Sequence, residues 1–365
     1  MSRKVIIRGE PFDRGAQYGQ QVPDLIRKGV EFYVGMWEES TGRSRGELLE
    51  IVNAFGEKIA NYDANLWMEI EGIAFGADMS VAEILVVNGR YEIMLSTVFA
   101  DGSHSVSECT SIGASSEVTD DGHTIVAQNW DWAVPVSEAS ILLEIQQEEG
   151  PDILTHVEAG FVDHKGINSE GIGLCANAMG SDLDCFDAAV PVWVLARSAL
   201  NCSTIEDARK HVSRGERVAS VNFTMAQDSR GSKKAMVASM EISPVDVVVV
   251  ESANGRISHG NVFVEVGEER KIEDRLAILY PGFCDRARRA ESLTEINARN
   301  IDGLKIVLRD HENRPESICR HREDQTDDLV LETLASVVMD VTSGTMEVAD
   351  GPPCQFEYVA HRLSR

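Results

Sequence analysis

Periodicity shifts from helical to strand-like near residue 109, and that shift limits the folds open to this chain. After one short strand at Lys4 to Arg8, the first hundred residues read as helices. Ser44 and Glu47 form a capping box ahead of the apolar run Leu48, Leu49, Val52, Phe55, Ile59, and Ser80 with Glu83 forms a second ahead of Ile84, Leu85 and Tyr91. Ala100 to Ser107 has the composition of an exposed loop. Beyond Cys109 the texture becomes that of strands: Thr124 to Ala127, Ser140 to Ile145, Ile153 to Val157, two within Gly166 to Leu174, then Val221 to Gln227, Ala235 to Ile242, Val245 to Val250 and Arg256 to Val264. A helical stretch from Val190 to His211, broken near Asn201 to Ser203 and with a capping box at Ser203 and Glu206, interrupts them. A surface helix is expected near Glu269 to Ile278 and another helix near Asp328 to Val338, with a strand pair from Val337 to Val341 and Thr345 to Val348 around Ser343-Gly344. Helices first, then many strands around central helices, give an α+β layered protein.

With 365 residues, 43% of them hydrophobic, the chain can bury a large core. Its 34 basic and 60 acidic residues leave a net charge of −26, which argues against nucleic acid as a partner, because phosphate neutralisation needs clustered Lys and Arg. No stretch approaches the roughly 18 consecutive apolar residues of a membrane span. The start carries a three-residue apolar run, short of the 7 or so of a secretory leader. Seven cysteines without Cys-x-x-Cys spacing suit reduced thiols in the cytoplasm. His-Glu-x-x-His, a phosphate loop and a dinucleotide fingerprint are all missing, so neither a metal nor an organic cofactor is expected. Asp163-His164 and the charge runs Glu148-Glu149, Glu268 to Lys271 and Arg286 to Arg289 read as solvated surface.

The chemistry points to Cys109. It lies in Ser107-Glu108-Cys109-Thr110-Ser111-Ile112-Gly113, ahead of Gln128-Asn129-Trp130-Asp131-Trp132. A nucleophilic cysteine needs a base and a donor for the oxyanion it creates. None of the nine histidines lies in a cysteine-protease context. An N-terminal nucleophile avoids that need, because a freed α-amine, with a pKa of about 7.7–8.0, serves as base near neutral pH. Cleavage of the Glu108–Cys109 bond would supply amine and thiol from one residue.

Cys109-Thr110-Ser111, Gln128-Asn129-Trp130-Asp131 and Ser317-Ile318-Cys319-Arg320 resemble the corresponding motifs of the isopenicillin-N acyltransferase (acyl-coenzyme A:6-aminopenicillanate acyltransferase) family of autoproteolytic N-terminal cysteine nucleophile hydrolases. The resemblance runs from about Gly9 to the C-terminal strands. It implies a four-layer αββα sandwich, with residues 1–108 and 109–365 becoming two associated chains of one structural domain. It implies catalytic roles for Cys109, Asp131, Asn261 and Arg320. Asp131 would orient the new ammonium or a partnering arginine, and Arg320 would fix Asp131 or bind a substrate carboxylate. Asn261 would donate its amide N–H to the oxyanion. Ser111 would support the amine or thiol of Cys109, with Ser317 as a second supporting residue. Two departures stand out. Glu108 precedes the nucleophile where the penicillin enzyme has glycine, and Val262 follows Asn261 where the family has histidine. Cys319 reads as buried packing, and Trp130 and Trp132 as core or pocket wall.

The expected activity is hydrolysis or acyl transfer on a small N-acyl amide, or on a thioester, through an acyl-thioenzyme. Hydrolysis is favoured because no residues mark a coenzyme A site. Two alternatives stand beside it: an uncleaved cysteine hydrolase using His259 or His123 as base, and a catalytically silent small-molecule binding protein of the same fold.

Overall fold

The computed structural model describes residues 2–101, 108–231, 233–264, 270–324 and 330–364. After strand β1 (Arg3–Gly9) come helices α1 (Pro11–Gln21), α2 (Pro23–Thr41), α3 (Arg45–Tyr62), α4 (Ala64–Ala77), α5 (Val81–Asn88) and α6 (Arg90–Asp101). Both predicted capping boxes are formed: Ser44 and Ser80 each accept from the backbone N–H three residues on, and Glu47 and Glu83 reach back to the cap. Of the loop expected at Ala100 to Ser107, helix α6 takes residues 100 and 101, and residues 102–107 lie outside the described ones.

Two sheets follow. In the first, β1, β4 (Ser140–Gln147), β5 (Ile153–Glu158), β6 (Lys165–Asn168), β7 (Ile172–Ala178), β8 (Val221–Gln227), β9 (Met236–Ile242) and β10 (Val247–Glu251) lie side by side in that order. The β1–β4 pair is parallel, and the others are antiparallel. The second sheet runs β11 (Arg256–His259), β2 (Glu108–Ala114), β3 (Ile125–Ala133), β12 (Leu331–Asp340), β13 (Thr345–Ala349) and β14 (Val359–Arg362), all antiparallel. Helix α7 (Val192–Leu200) packs on β6 and β7, and α8 (Ile205–Arg214) on β8 and β10. Against the second sheet lie α10 (Gly282–Asn297) and α11 (Ile301–Leu308), preceded by the short α9 (Arg275–Leu279). Strands β2 and β3 meet β7 and β8 across the gap between sheets. The layers are therefore helix, sheet, sheet, helix, as expected.

Strand alternation fills these layers. Val126, Leu142, Leu154, Ile167, Cys175, Val237, Val337 and Met339 form an apolar cluster that joins the two sheets. Ile112, Ala114 and Ala127 point the other way, onto Ala290, Leu304 and Val307 of α10 and α11.

Four readings of the sequence need correction. The helix predicted near Asp328 to Val338 is strand β12, buried along its whole length. A central strand covered on both faces loses the polar alternation that distinguishes it from a buried helix. Helix α10 was missed because its inward stripe, Phe283, Arg286, Ala290 and Thr294, contains an arginine and a threonine. The cap of α8 is Thr204, which accepts from Asp207 N–H, one residue beyond the predicted box. The surface helix expected near Glu269 to Ile278 begins only at Arg275.

The helical layer is anchored at the crossing of α1 and α4, where glycines let two backbones touch. A Cβ at Gly15 would lie 2.0 Å from the Glu69 carbonyl oxygen, and one at Gly72 would lie 2.2 Å from that of Phe12. At the same crossing, Glu69 is buried between Arg14 and Arg197, at 2.7 and 2.9 Å. Both arginines pull its carboxyl below the ordinary range against the cost of burial. Gly15→Ala should lower unfolding free energy by about 2–4 kcal/mol, because backbone must move. Gly35→Ala in α2, where an added Cβ meets nothing within 4 Å, should be neutral or stabilise by up to about 1 kcal/mol. Equal denaturant midpoints for the two variants would contradict the close crossing.

Candidate active site

Cys109 is the second residue of β2, directly opposite Trp130 of β3, while Glu108 faces Asp131. Period-two alternation then sorts the motif residues between the two faces of the sheet. Gln128 and Trp130 face the first sheet: the Gln128 amide donates to the Ala176 carbonyl, and the Trp130 ring lies under Lys165 Nζ, 4.1 Å from its centre. Asn129 and Asp131 face the outer helices, with Asn129 Nδ2 donating to the Leu308 and Ile318 carbonyls at 2.8 Å.

The backbone N–H of Cys109 donates to Asn261 Oδ1 at 3.0 Å. The same oxygen accepts from Arg286 Nη2 at 2.6 Å, while Asn261 Nδ2 donates to the Ala178 carbonyl at 2.8 Å. Arg286 Nη1 lies 3.9 Å from Asp131 Oδ2, and both side chains are buried. Asp131 Oδ1 accepts from Thr333 Oγ1 at 2.6 Å, and that hydroxyl accepts from the Arg320 backbone N–H at 2.9 Å. The structure thus brings Cys109, Asn261 and Asp131 together through Arg286, and places Arg320 next to Asp131 through Thr333. Arg286 was expected on a solvated face. It is 1% exposed, because it occupies the inward stripe of α10. Its spacing from Phe283 and Ala290 was the available signal. Asn261 was expected to offer its amide N–H to an oxyanion; here one Nδ2–H is given to the Ala178 carbonyl, and the side-chain oxygen faces the Cys109 N–H.

The other expected residues are more peripheral. Ser111 points into the gap between sheets, donating to Asn177 Oδ1 at 2.6 Å and sharing a 2.6 Å hydrogen bond with Thr224 Oγ1. Ser317 Oγ donates to the Cys319 carbonyl and closes a local turn. The Glu108 side chain lies outside the described residues. The His259 ring is engaged at both nitrogens, by Glu241 and by the Gly260 carbonyl. His123 pairs with Asp340 at the end of β12.

Asp163-His164, read from sequence as a surface pair, is buried together with Lys165. Burial pushes the Asp163 carboxyl up to about 6 and the His164 imidazole well below its usual range. Lys165 Nζ contacts His164 Nδ1 at 2.9 Å. Desolvation brings its ammonium down to about 7, opposed by the negative charge available from Cys109 and Glu158. A lysine near neutrality beside the thiol was legible only as a charge inside a strand. Arg270, expected on a solvated run, is instead paired with Glu241 and Asp246.

Cys109 is 2% exposed, so its thiol is buried. A surface cleft of about 450 Å³ lies along β11 and α10, lined by residues such as Arg256, His259 and Glu291, but not by Cys109. No metal was expected, yet among the described residues His311, Cys319, His321 and Cys354 converge, as do His321, Glu323 and Glu332. No described helix is long and apolar enough to cross a membrane.

Residues 118–354 match the family described as acyl-coenzyme A:6-aminopenicillanic acid acyl-transferase. The chain belongs to this family. It is therefore an enzyme of the acyltransferase class. Over 358 residues it is 28% identical to the acyl-coenzyme A:6-aminopenicillanic-acid-acyltransferase 40 kDa form of Emericella nidulans, covering 96% of this chain and 92% of that one. Among solved structures, it is similar to a variant of conjugated bile acid hydrolase from Clostridium perfringens (12% identity, 70% of this chain and 92% of that chain, TM-score 0.45). It is also similar to penicillin V acylase from Agrobacterium tumefaciens (13% identity, 66% and 83%, TM-score 0.40). Family membership rests on the sequence, not on these distant structural likenesses.

Two variants test the geometry. Arg286→Met strips Asp131 of its buried guanidinium and should destabilise the fold by on the order of 3 kcal/mol, read from chemical denaturation; an unchanged midpoint would place Arg286 at the surface after all. Lys165 binds its proton more weakly folded, near 7, than unfolded, about 10.4. The unfolded state then holds more protons between those values, and the Lys165 contribution to stability rises with pH across that window. Lys165→Met should flatten that rise. Parallel pH profiles for wild type and variant would remove the depressed ammonium.

Proposed function

We propose that the chain is a self-processing precursor whose Glu108–Cys109 bond is cut to make Cys109 an N-terminal nucleophile acting on small N-acyl amides. The observation that carries this reading is the hold on the Cys109 nitrogen. Asn261 Oδ1 accepts its N–H at 3.0 Å, where the freed α-amine would remain. The thiol lies on the inter-sheet face beside Lys165, in a buried setting.

In the cleavage step, Cys109 Sγ attacks the Glu108 carbonyl carbon, the C–N bond breaks, and the thiol proton passes to the nitrogen. Water hydrolyses the resulting thioester, leaving a Glu108 carboxylate and a Cys109 carrying both free amine and thiol. In turnover, the amine takes the thiol proton, the thiolate attacks the substrate carbonyl, and the amine returns the proton to the departing nitrogen. The acyl-thioester is then released to water, or to an amine where water is excluded. Asn261 holds the amine so that its lone pair is directed to one side, and Arg286, tethered by Asp131, holds Asn261. Arg320 completes the same face through Thr333. Hydrolysis of an amide is the favoured outcome. Transfer to or from a thioester such as an acyl-coenzyme A is the second reading, favoured by the match to the acyltransferase of Emericella nidulans. The two chains, residues 1–108 and 109–365, remain in one fold because β2 and β3 are central to the second sheet while α1 to α6 cover the first.

Denaturing electrophoresis with N-terminal sequencing should show two fragments, the larger starting Cys-Thr-Ser-Ile. Cys109→Ala should give one intact chain without turnover of chromogenic N-acyl amides. Wild-type protein that stays whole while hydrolysing these amides would overturn the self-cleavage. Undiminished activity of Cys109→Ala would remove the nucleophile itself.

A further inference from the structure

Away from the proposed nucleophile, three loops meet at a second cluster. His311 follows α11, Cys319 and His321 precede β12, and Cys354 lies between β13 and β14. The His311 and His321 Nε2 atoms are 3.1 Å apart, and the two Sγ atoms 3.7 Å apart. His321 Nε2 is 3.6 Å from Cys319 Sγ and 3.3 Å from Cys354 Sγ. All four ligand atoms lie within 4.8 Å of one another.

These four separations match four of the six edges of a coordination tetrahedron, and the two from His311 to the sulfurs are within 4.8 Å. With zinc–sulfur bonds of about 2.3 Å and zinc–nitrogen bonds of about 2.0–2.1 Å, tetrahedral geometry requires sulfur–sulfur edges near 3.8 Å, nitrogen–nitrogen edges near 3.3 Å and mixed edges near 3.5 Å. The four measured edges fall within about 0.2 Å of these values. A disulfide would instead need its sulfurs at about 2.05 Å. The surroundings suit a metal as well. With Nε2 as ligand, His321 presents Nδ1–H outward, toward the Glu323 carboxylate at 3.9 Å. Each loop is also tied down by its backbone: Cys319 N–H donates to the Asp310 carbonyl, and the Pro353 carbonyl accepts from Arg309 Nε.

We infer that His311, Cys319, His321 and Cys354 form a structural zinc site of Cys2His2 type. Two thiolates and two imidazoles in tetrahedral array favour zinc over harder cations, and four protein ligands leave no open position for catalysis. Zinc displaces one proton from each thiol and binds the neutral imidazoles, so no oxidant or reductant is involved. The site clamps the backbone on both sides of Arg320, whose N–H and carbonyl are both bonded to Thr333, the residue that donates to Asp131. This positioning consequence rests on the proposed catalytic reading, whereas the metal site does not.

The test is elemental analysis of the full chain, produced with zinc in the medium and purified without chelator. Close to one zinc per chain is expected, falling at least several-fold in Cys319→Ser and in Cys354→Ser. Cobalt exchanged into chelator-treated wild type should show strong tetrahedral d–d absorption with a thiolate-to-cobalt charge-transfer band. Wild-type protein without zinc that also fails to take up added zinc or cobalt after thiol reduction would overturn the site. So would a Cys319–Cys354 disulfide found by mass mapping of protein purified anaerobically. Metal content is read without substrate, so failure of the nucleophile assignment would leave this result standing.

Discussion

One side-chain amide joins the parts that matter. Asn261 receives the Cys109 N–H from the second sheet and the Arg286 guanidinium from the outer helices, and donates to the Ala178 carbonyl at the end of a strand in the first sheet. All of these groups are buried, where an unmade hydrogen bond costs about 1–3 kcal/mol and the geometry is correspondingly restricted. The amide cannot rotate without exchanging donor for acceptor against all three partners. That restriction fixes the Cys109 nitrogen relative to both sheets, and gives a self-processing reading its physical basis.

The sheet separates two functions by alternation alone. Cys109 and Trp130 share the inter-sheet face with Lys165, while Asp131 and Asn129 share the helix face with α10, α11 and β12. The thiol environment is therefore set by the first sheet, and the nitrogen environment by the outer helices. Asp131 and Arg286 act across a buried 3.9 Å gap, a distance at which low local polarity keeps charges coupled. The inferred zinc clamp lies on that same helix side, whereas the glycine crossing of α1 with α4 and the Arg14–Glu69–Arg197 cluster secure the opposite layer.

Much of the fold was legible because its signals are local. The capping boxes at Ser44 and Ser80, the two strands within Gly166 to Leu174 and the strand pair around Ser343-Gly344 depend on residues within a few positions of one another. Strand β12 escaped because burial on both faces erases period two, and α10 escaped because Arg286 replaces an apolar residue on its inward stripe. Within the candidate site, Cys109, Asp131 and Asn261 were reached from sequence, and Arg320 was placed beside Asp131. Arg286 and Lys165 were not, since each looks like surface charge until a neighbouring element covers it.

The sequence by itself determined the α+β class, the layered arrangement and the identity of the motif residues, all of which follow from short-range periodicity and from family likeness. Tertiary structure decided which atoms meet. It turned the Asn261 oxygen toward Cys109, gave Asp131 its Arg286 partner, and brought His311, Cys319, His321 and Cys354 within ligand distance although the first and last are 43 positions apart. Such contacts are set by how sheets and helices stack, and residue spacing along the chain carries no record of that stacking.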